Sequence, residues 1–170
     1  MDELKAKDFA LESHMGQKYG NREYSFHLES VVKIAKDMGL ESDIIAGCWL
    51  HDTIEDCSIE YTDIKDIFGE SIAEIVHAVT DEPGKDRKER KLKTYPKIKS
   101  NESAVCVKLC DRIANLNQSI LDNKKGLVSM YCNEHDEFRQ QLYDPAHNSK
   151  TGELWAMLEN HIEKGMKMVS

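Results

Sequence analysis

The sequence predicts an all-α fold for three reasons. Apolar residues recur at three- and four-residue spacing along most of the chain, as they do on the buried face of an amphipathic helix. The chain has only three prolines, so its helices meet few interruptions. No segment rich in Val, Ile or Thr alternates apolar and polar residues as a half-buried strand does. With 170 residues and no repeat, linker or low-complexity tract, the chain is predicted to form a single domain over residues 1–170.

The first half of the chain is predicted to contain five helices. Their predicted positions are 2–14, 25–38, a third helix that starts at Ser42 or Asp43 and runs through residue 56, a fourth capped by Thr62, and 71–80. Gly39 and Gly69 are expected to end the second and fourth helices, because glycine readily adopts the left-handed conformation that follows a helix. Residues 15–23, which contain two glycines and two basic residues, are predicted to form a loop.

The second half begins with a predicted turn at 81–84, which contains a Pro-Gly pair. A strongly basic segment follows at 85–93 and is predicted to be helical, with Pro96 interrupting or kinking it. Helical periodicity then predicts three longer helices, at 104–119, 125–143 and 151–168.

Composition excludes some classes of function. The net charge of −8 argues against a general nucleic-acid-binding protein, which needs a basic surface. No apolar stretch approaches the roughly 20 residues of a membrane span, and the acidic N-terminus lacks the apolar core of a signal peptide. Five cysteines without paired spacing favour a reducing compartment. We therefore expect a cytoplasmic protein with no nucleic-acid or membrane partner. A small anionic substrate stays compatible with the charge, because a metal and local basic residues can invert the potential of a cleft.

The sequence HDTIED at 51–56 directly follows an apolar segment, so it is expected to face the interior. In a continuous helix, Glu55 would lie over His51 and Asp56 over Asp52, because residues four apart share a face. Three carboxylates this close repel one another unless a cation neutralises them. A solvated, polar helix end is the alternative interpretation.

Two further side chains are candidate metal ligands. His27 lies near the start of the second predicted helix, and Asp111 lies inside an otherwise apolar helix. A buried, unpaired aspartate is costly, so Asp111 needs a basic partner, a cap or a metal. The alternatives that stay open are a salt bridge for Asp111 and a hydrogen-bonded core histidine for His27.

The order His27, His51 with Asp52, and then Asp111 resembles the ligand order of the HD phosphohydrolase superfamily. Two imidazoles and two carboxylates form a mixed nitrogen and oxygen site. Such a site suits a divalent ion such as Mn²⁺, Fe²⁺, Zn²⁺ or Ni²⁺ better than Ca²⁺. Mn²⁺ is the expected ion.

Within this superfamily, four segments of the sequence resemble motifs of the RelA/SpoT alarmone hydrolases. That family includes small single-domain enzymes such as the metazoan SpoT homologue. HDTIED at 51–56 resembles their HD-x-x-ED motif. The other matching segments are HMGQ at 14–17 with Tyr24 to His27, VTD at 79–81 with the basic run 87–91, and VKLCDRIANL at 107–116. The similarity spans residues 8 to 120 in the same order.

The resemblance implies a metal-dependent (p)ppGpp 3′-pyrophosphohydrolase. A metal held by His27, His51, Asp52 and Asp111 would activate a water that attacks the 3′-pyrophosphate and releases pyrophosphate with GDP or GTP. Glu55 and Asp56 would position and deprotonate that water. The residues expected to contact the substrate are Lys18, Arg22, Arg87, Lys91, Lys108 and Asn115. For the basic ones, a solvated surface is the alternative. Arg112 is expected to point away and to form a structural ion pair.

The sequence departs from the family at two positions. Tyr19 stands where these hydrolases usually have an arginine, in a loop one residue shorter than theirs and implicated in holding the guanine base. Leu28 stands where a proline usually follows the first metal histidine. Both departures leave the metal ligands in place and bear on base specificity, not on hydrolysis. Two other functions stay open. One is an HD phosphohydrolase acting on another nucleotide, such as NADPH or a nucleoside phosphate. The other is a catalytically silent, nucleotide-binding regulator.

Overall fold

The structure, a computed structural model, describes residues 2–170, and the predicted all-α class is confirmed. The helices are α1 (Asp2–Ser13), α2 (Ser25–Asp37), α3 (Ser42–Leu50), α4 (Thr53–Asp56), α5 (Tyr61–Phe68), α6 (Glu70–Val79), α7 (Arg87–Lys99), α8 (Glu102–Leu121), α9 (Lys125–Leu142) and α10 (Ser149–Val169). None of these helices combines the length and the apolar character that crossing a bilayer requires.

Helix α8 lies at the centre of the fold and packs against α2, α3, α6, α7, α9 and α10. Its apolar side chains Leu109, Ile113 and Leu116 are almost completely buried. Asn101 caps the helix by accepting a hydrogen bond from the backbone N–H of Ala104 at 3.2 Å. Because α8 contacts so many neighbours, a polar residue on it is held in a fixed position relative to α2 and α3.

Helix α3 can approach α6 and α8 closely because it carries Gly47. A Cβ atom at this position would lie 2.8 Å from Ile75 Cγ2 of α6 and 3.2 Å from Val107 Cγ2 of α8. A larger residue would push α3 outward. Gly47 therefore allows the C-terminal end of α3 to lie beside α8, where the candidate ligands of both helices meet.

Residues 15–23, predicted to be a loop, contain a small antiparallel hairpin. Strand β1 (Lys18–Tyr19) pairs with β2 (Arg22–Glu23), with Tyr19 opposite Arg22. Gly20 turns the chain with a φ of 63°. Two-residue strands are too short to show alternation, so the sequence pattern gave no sign of them.

Three further predictions about local structure are wrong in detail. Helix α5 is capped by Glu60 and not by Thr62: Glu60 and Asp63 form a reciprocal capping box. The predicted third helix does not continue through residue 56, because the chain leaves the helix after Leu50. Pro96 does not interrupt α7, which runs on to Lys99.

Candidate metal centre and substrate cavity

Three separate segments bring the four predicted ligands together. His27 lies in the first turn of α2, His51 and Asp52 follow the end of α3, and Asp111 lies in the middle of α8. His27 and His51 are each 2% exposed, and Asp111 is 9% exposed. Three of the four side chains are thus buried between packed elements, and Asp52 is partly exposed.

The end of α3 is shaped by two side chains that bond back to its last carbonyl groups. His51 Nδ1 lies 2.9 Å from the carbonyl oxygen of Cys48, and Thr53 Oγ1 donates to the carbonyl of Leu50 at 2.7 Å. Asp52 takes the bridge conformation, with φ −102° and ψ 0°, before α4 starts. The predicted continuous helix is thus broken at residues 51–52, although Asp56 still bonds back to the carbonyl of Asp52 at 2.9 Å, and Glu55 and Asp56 take different surroundings.

The distances between the candidate ligand atoms fit a single cation. His51 Nε2 lies 2.8 Å from Asp52 Oδ2, and His27 Nε2 lies 3.3 Å from Asp111 Oδ1 and 3.4 Å from His51 Nε2. The remaining distances from the imidazoles to the carboxylates are 3.7 and 3.8 Å. Around an ion bound at about 2.1 Å, adjacent ligands are separated by about 3 Å and opposite ones by about 4.2 Å. His27, His51 and Asp111 also offer ligand atoms that all lie within 4.8 Å of one another.

The hydrogen bonding of His51 suits a metal ligand. A carbonyl oxygen only accepts, so the Nδ1 that faces Cys48 must carry the proton. In the neutral imidazole, Nε2 then presents its lone pair to the centre of the cluster. This is the arrangement by which proteins orient a metal-binding histidine.

The cluster has an excess of negative charge that attracts a cation. Burial alone would lower the pKa of His51, but Asp52 and Asp111 raise that pKa well above its usual value. Burial likewise opposes the ionisation of Asp111, yet Lys108 and the two imidazoles hold its pKa well below the usual range. Both carboxylates are thus ionised, and either protons or a divalent ion can balance them. The donor set and its charge fit a divalent metal.

A cavity of about 150 Å³ opens directly onto this cluster. Glu55 lines its rim and accepts a hydrogen bond from the backbone N–H of Asp81 at 3.0 Å. Partial burial raises the pKa of Glu55, although its side chain reaches solvent. Asp56 does not line the cavity: it is exposed and accepts a hydrogen bond from Gln17 Nε2 at 2.7 Å. Of the two predicted proton-transfer residues, Glu55 has the more suitable position.

Arg87 and Lys91 of α7 and Arg112 of α8 also line the cavity. We call this group the basic end, and we call the candidate ligands together with Lys108 the acidic end. Arg87 pairs with Glu134 at 2.7 Å, and Lys91 pairs with Asp81 at 2.8 Å. Burial and the nearby charge of Lys108 lower the pKa of Lys91, even though Asp81 opposes that shift. The ammonium of Lys91 is therefore incompletely compensated for its loss of solvent, so an additional anion beside it would be favourable.

Asn115 and Lys108, both predicted to contact the substrate, lie in the cavity wall. Asn115 Nδ2 donates to Asp111 Oδ1 at 2.6 Å, and Lys108 Nζ donates to Asp111 Oδ2 at 3.1 Å. Asp111 therefore forms the salt bridge that was the alternative to metal ligation, and Lys108 is its partner. It occupies Oδ2 and leaves Oδ1 facing the imidazoles.

Two of the predicted substrate contacts lie outside the cavity. Lys18 is exposed and pairs with Glu23, its partner across the hairpin. Arg22 forms two hydrogen bonds of 3.0 Å with Asp122 at the end of α8. Lys18 therefore has the solvated surface position that was the alternative to a substrate contact. Arg22 instead anchors the hairpin to the end of α8.

Arg112 forms the predicted structural ion pair, with Glu134 at 3.0 Å. The expectation that it points away from the site is wrong, because Arg112 also lines the cavity. Its guanidinium lies over the rings of Tyr131 and Phe138, at 4.9 and 4.5 Å from their centroids. Nothing near Arg112 in the sequence identifies these partners, which come from α9.

Two tyrosines lie next to the candidate ligands, although the sequence pattern predicted no role for either of them. Tyr24 donates a hydrogen bond of 2.5 Å to Asp52 Oδ2, and Tyr19 stacks on the ring of His27. Tyr24 lies three residues before His27, one turn away at the start of α2, so this spacing was the available signal. Tyr19 comes from the hairpin, which the sequence did not reveal.

Comparison with known proteins finds one matching family and several similar enzymes. The family model described as HD domain matches residues 6–127. The guanosine-3′,5′-bis(diphosphate) 3′-pyrophosphohydrolase MESH1 of Danio rerio is 24% identical, and the match covers 97% of this chain and 95% of the relative. The guanosine-3′,5′-bis(diphosphate) 3′-pyrophosphohydrolase of Aquifex aeolicus is 32% identical over 117 residues, which are 66% of this chain but only 17% of that enzyme.

Solved structures share the fold. A metazoan ortholog of SpoT, described as hydrolysing ppGpp, superposes with a TM-score of 0.74 at 18% identity, covering 96% of this chain and 94% of that chain. A crystal structure from Listeria monocytogenes superposes with a TM-score of 0.58 at 19% identity, covering 81% of this chain and 94% of that one. At such low identity these likenesses concern the arrangement of the helices.

Proposed function

This chain belongs to the HD domain family, and we propose that it is a metal-dependent hydrolase that removes the 3′-pyrophosphate of (p)ppGpp. The products are pyrophosphate and GDP or GTP. The names of its relatives support this substrate, above all the Danio rerio enzyme, which matches almost the whole chain. Several other relatives are much longer proteins, of which this chain spans about a sixth, so any further activity of theirs is not part of the proposal.

One observation carries the proposal: two imidazoles and two carboxylates from α2, the end of α3 and α8 converge at one end of a cavity. His27, His51, Asp52 and Asp111 would hold the metal. A divalent ion bound there supplies a water of lowered pKa and polarises a phosphate oxygen. Mn²⁺ is the proposed ion, in agreement with the mixed nitrogen and oxygen donors.

Glu55 is the proposed general base. Its carboxylate lies at the cavity rim, and its raised pKa brings it nearer to neutrality, where a base is most effective. It would accept one proton from the water as the new P–O bond forms and the bond from phosphorus to the 3′ oxygen breaks. That proton would then pass to the departing 3′ oxygen, which leaves as the hydroxyl of GDP or GTP. Asp56 would assist indirectly, by holding Gln17 and the segment before the hairpin.

The basic end of the cavity supplies contacts for the phosphates. Lys91, which has little exposure, and Arg87 belong to this end. Lys108, which pairs with Asp111 at the acidic end, lies in the same cavity wall and is a further contact. An anionic group there would share these cations with Asp81 and Glu134. Asn115 is placed to contact the ribose or a phosphate from α8. The substrate would thus be held at two points, one at each end.

A direct experiment is to incubate the purified, Mn²⁺-loaded protein with ppGpp and to measure the released phosphate species. We expect pyrophosphate and GDP from the wild type and no turnover from Asp52→Ala. The Lys93→Ala variant, altered at an exposed residue of α7, is the matched control and should retain full activity. No turnover by a metal-replete wild type would contradict the proposal.

A second substrate class is favoured by Tyr19. It stands where the related hydrolases usually have an arginine, and it lines the cavity in which the substrate would bind. An HD phosphohydrolase acting on NADPH or on a nucleoside phosphate would use the same metal and the same base. It would release orthophosphate and not pyrophosphate. A panel of these nucleotides on the same preparation distinguishes the two activities by the product. Tight nucleotide binding without any turnover would instead support a regulator.

A further inference from the structure

We propose that Tyr19 is a positioning residue that orients two of the metal ligands, His27 through its ring and Asp111 through its hydroxyl. The inference rests on the proposed metal site but adds a residue that stands where related hydrolases usually have an arginine. Tyr19 would not itself touch the ion or the reacting atoms.

The position of Tyr19 is fixed by the hairpin and its anchor. Tyr19 pairs with Arg22 across the two strands. Arg22 forms the bidentate ion pair with Asp122, and its guanidinium lies 4.7 Å from the centroid of the Phe26 ring. Asp122 directly follows α8, the helix that carries Asp111. The hairpin is therefore tied to the same helix as the ligand that it would orient.

The ring of Tyr19 lies flat against the imidazole of His27. The ring centroids are 4.9 Å apart, and the planes differ by 12°. Tyr24 approaches the same imidazole edge-on, at 5.5 Å and 63°. His27 Nε2 points at the cluster, so a rotation of the ring would move the lone pair away from it. Stacking on one face and an edge contact with a second ring restrict that rotation.

The hydroxyl of Tyr19 acts on Asp111 indirectly, through the side-chain amide of Asn115. It donates a hydrogen bond of 2.8 Å to Asn115 Oδ1, and Asn115 Nδ2 donates to Asp111 Oδ1 at 2.6 Å. Asp111 Oδ1 is also the oxygen that lies nearest to His27 Nε2. Because the ionised carboxylate only accepts, the NH₂ group of Asn115 must face Asp111, and the phenol hydroxyl, which donates to the amide oxygen, holds the amide in that position. Outer partners of this kind orient ligands in many metal sites.

The test is an equilibrium titration of chelator-treated protein with Mn²⁺ by calorimetry. We expect Tyr19→Phe, which keeps the ring and loses the hydroxyl, to weaken Mn²⁺ binding about tenfold. The melting temperature of the metal-free protein should not change. Tyr61→Phe is the matched control, because its hydroxyl also bonds a carboxylate, Glu74, but on the surface. It should bind Mn²⁺ like the wild type.

A second variant tests the route through Asn115. In an Asn115→Ala background, Tyr19→Phe should have no further effect on Mn²⁺ affinity, because the hydroxyl no longer has a path to Asp111. Additive losses would overturn that route, and wild-type affinity in Tyr19→Phe alone would overturn the role of the hydroxyl. If the wild type itself binds no Mn²⁺, the proposed metal site fails, which is a distinct result from a failure of Tyr19.

Discussion

The two ends of the cavity differ in how their charges are balanced. At the acidic end, Asp52 and Asp111 face two imidazoles, and Lys108 is the cation paired with Asp111. At the basic end, each cation has a carboxylate partner from the protein. Arg87 and Arg112 share Glu134, and Lys91 has Asp81.

This difference assigns different tasks to the two ends. The acidic end needs a cation to balance its carboxylates, so removing one of its members should remove the metal. The basic end is already paired without a substrate, so an incoming phosphate must compete with Asp81 and Glu134 for the same donors. Changes at the acidic end should therefore lower kcat strongly, and those at the basic end should mainly raise KM.

The largest effect is expected from Asp111→Asn, which keeps the size of the side chain but removes the charge of a proposed metal ligand. We expect kcat/KM to fall more than about 1000-fold, because a bound metal contributes several kcal/mol to the transition state. Steady-state kinetics at saturating Mn²⁺ measures this. If kcat/KM falls no further than it does in a basic-end variant, the two ends do not have the different tasks proposed for them.

Glu55→Gln should come next, with kcat lowered about 100-fold to 10,000-fold and Mn²⁺ affinity unchanged, since it removes a base and not a ligand. Asp56→Asn is the matched comparison and should cost only about tenfold, because Asp56 lies outside the cavity. Equal losses in the two variants would contradict the separate positions of these carboxylates.

The pH profile sharpens the assignment of Glu55. A base must be deprotonated to act, so the rate should fall as the pH drops through the pKa of Glu55. Partial burial raises this pKa, so the inflection should lie above the value of about 4.3 for an ordinary glutamate. Glu55→Gln should lose that inflection, whereas Asp56→Asn should keep it.

At the basic end, Lys91→Met should raise KM about tenfold to 100-fold and leave kcat nearly unchanged. The variant removes a charged donor to phosphate, which contributes about 1.5–3 kcal/mol. Lys93→Met, on the same helix but exposed and paired with Glu89, is the control and should match the wild type. If kcat falls while KM stays constant, Lys91 acts in the transition state and the division of tasks is wrong.

The smallest effect is expected from Lys18→Ala. Lys18 is exposed and pairs with Glu23, so its loss should change kcat/KM by less than about threefold. Kinetics with ppGpp at low and moderate salt checks this. A tenfold rise in KM would show that the hairpin contacts the substrate directly.

The helices and the ligand set could be predicted because their signals are local or shared with a family. Apolar periodicity gave the extent of α2 and α8, and Gly39 does end α2 with a φ of 61°. The HD family resemblance is confirmed by the match over residues 6–127. The ligand assignment for His27, His51, Asp52 and Asp111 stays a prediction, although their proximity supports it.

Other features depend on contacts that sequence spacing does not contain. The end of α3 at Leu50 depends on side chains that bond back to its carbonyls. Arg22 resembled a phosphate ligand in charge, but its partner Asp122 lies 100 residues away in the chain. The counter-ion of Arg112 comes from α9, far from any motif. Long-range pairing of charges therefore decided which basic residues reach the cavity.

The most direct test of the account is a crystal structure of the Mn²⁺-loaded protein with anomalous scattering data at a wavelength suited to manganese. We expect one strong anomalous peak within about 2.2 Å of His27 Nε2, His51 Nε2 and one carboxylate oxygen each of Asp52 and Asp111. A peak at another position, or none at saturating Mn²⁺, would contradict the assignment of the acidic end as the metal centre.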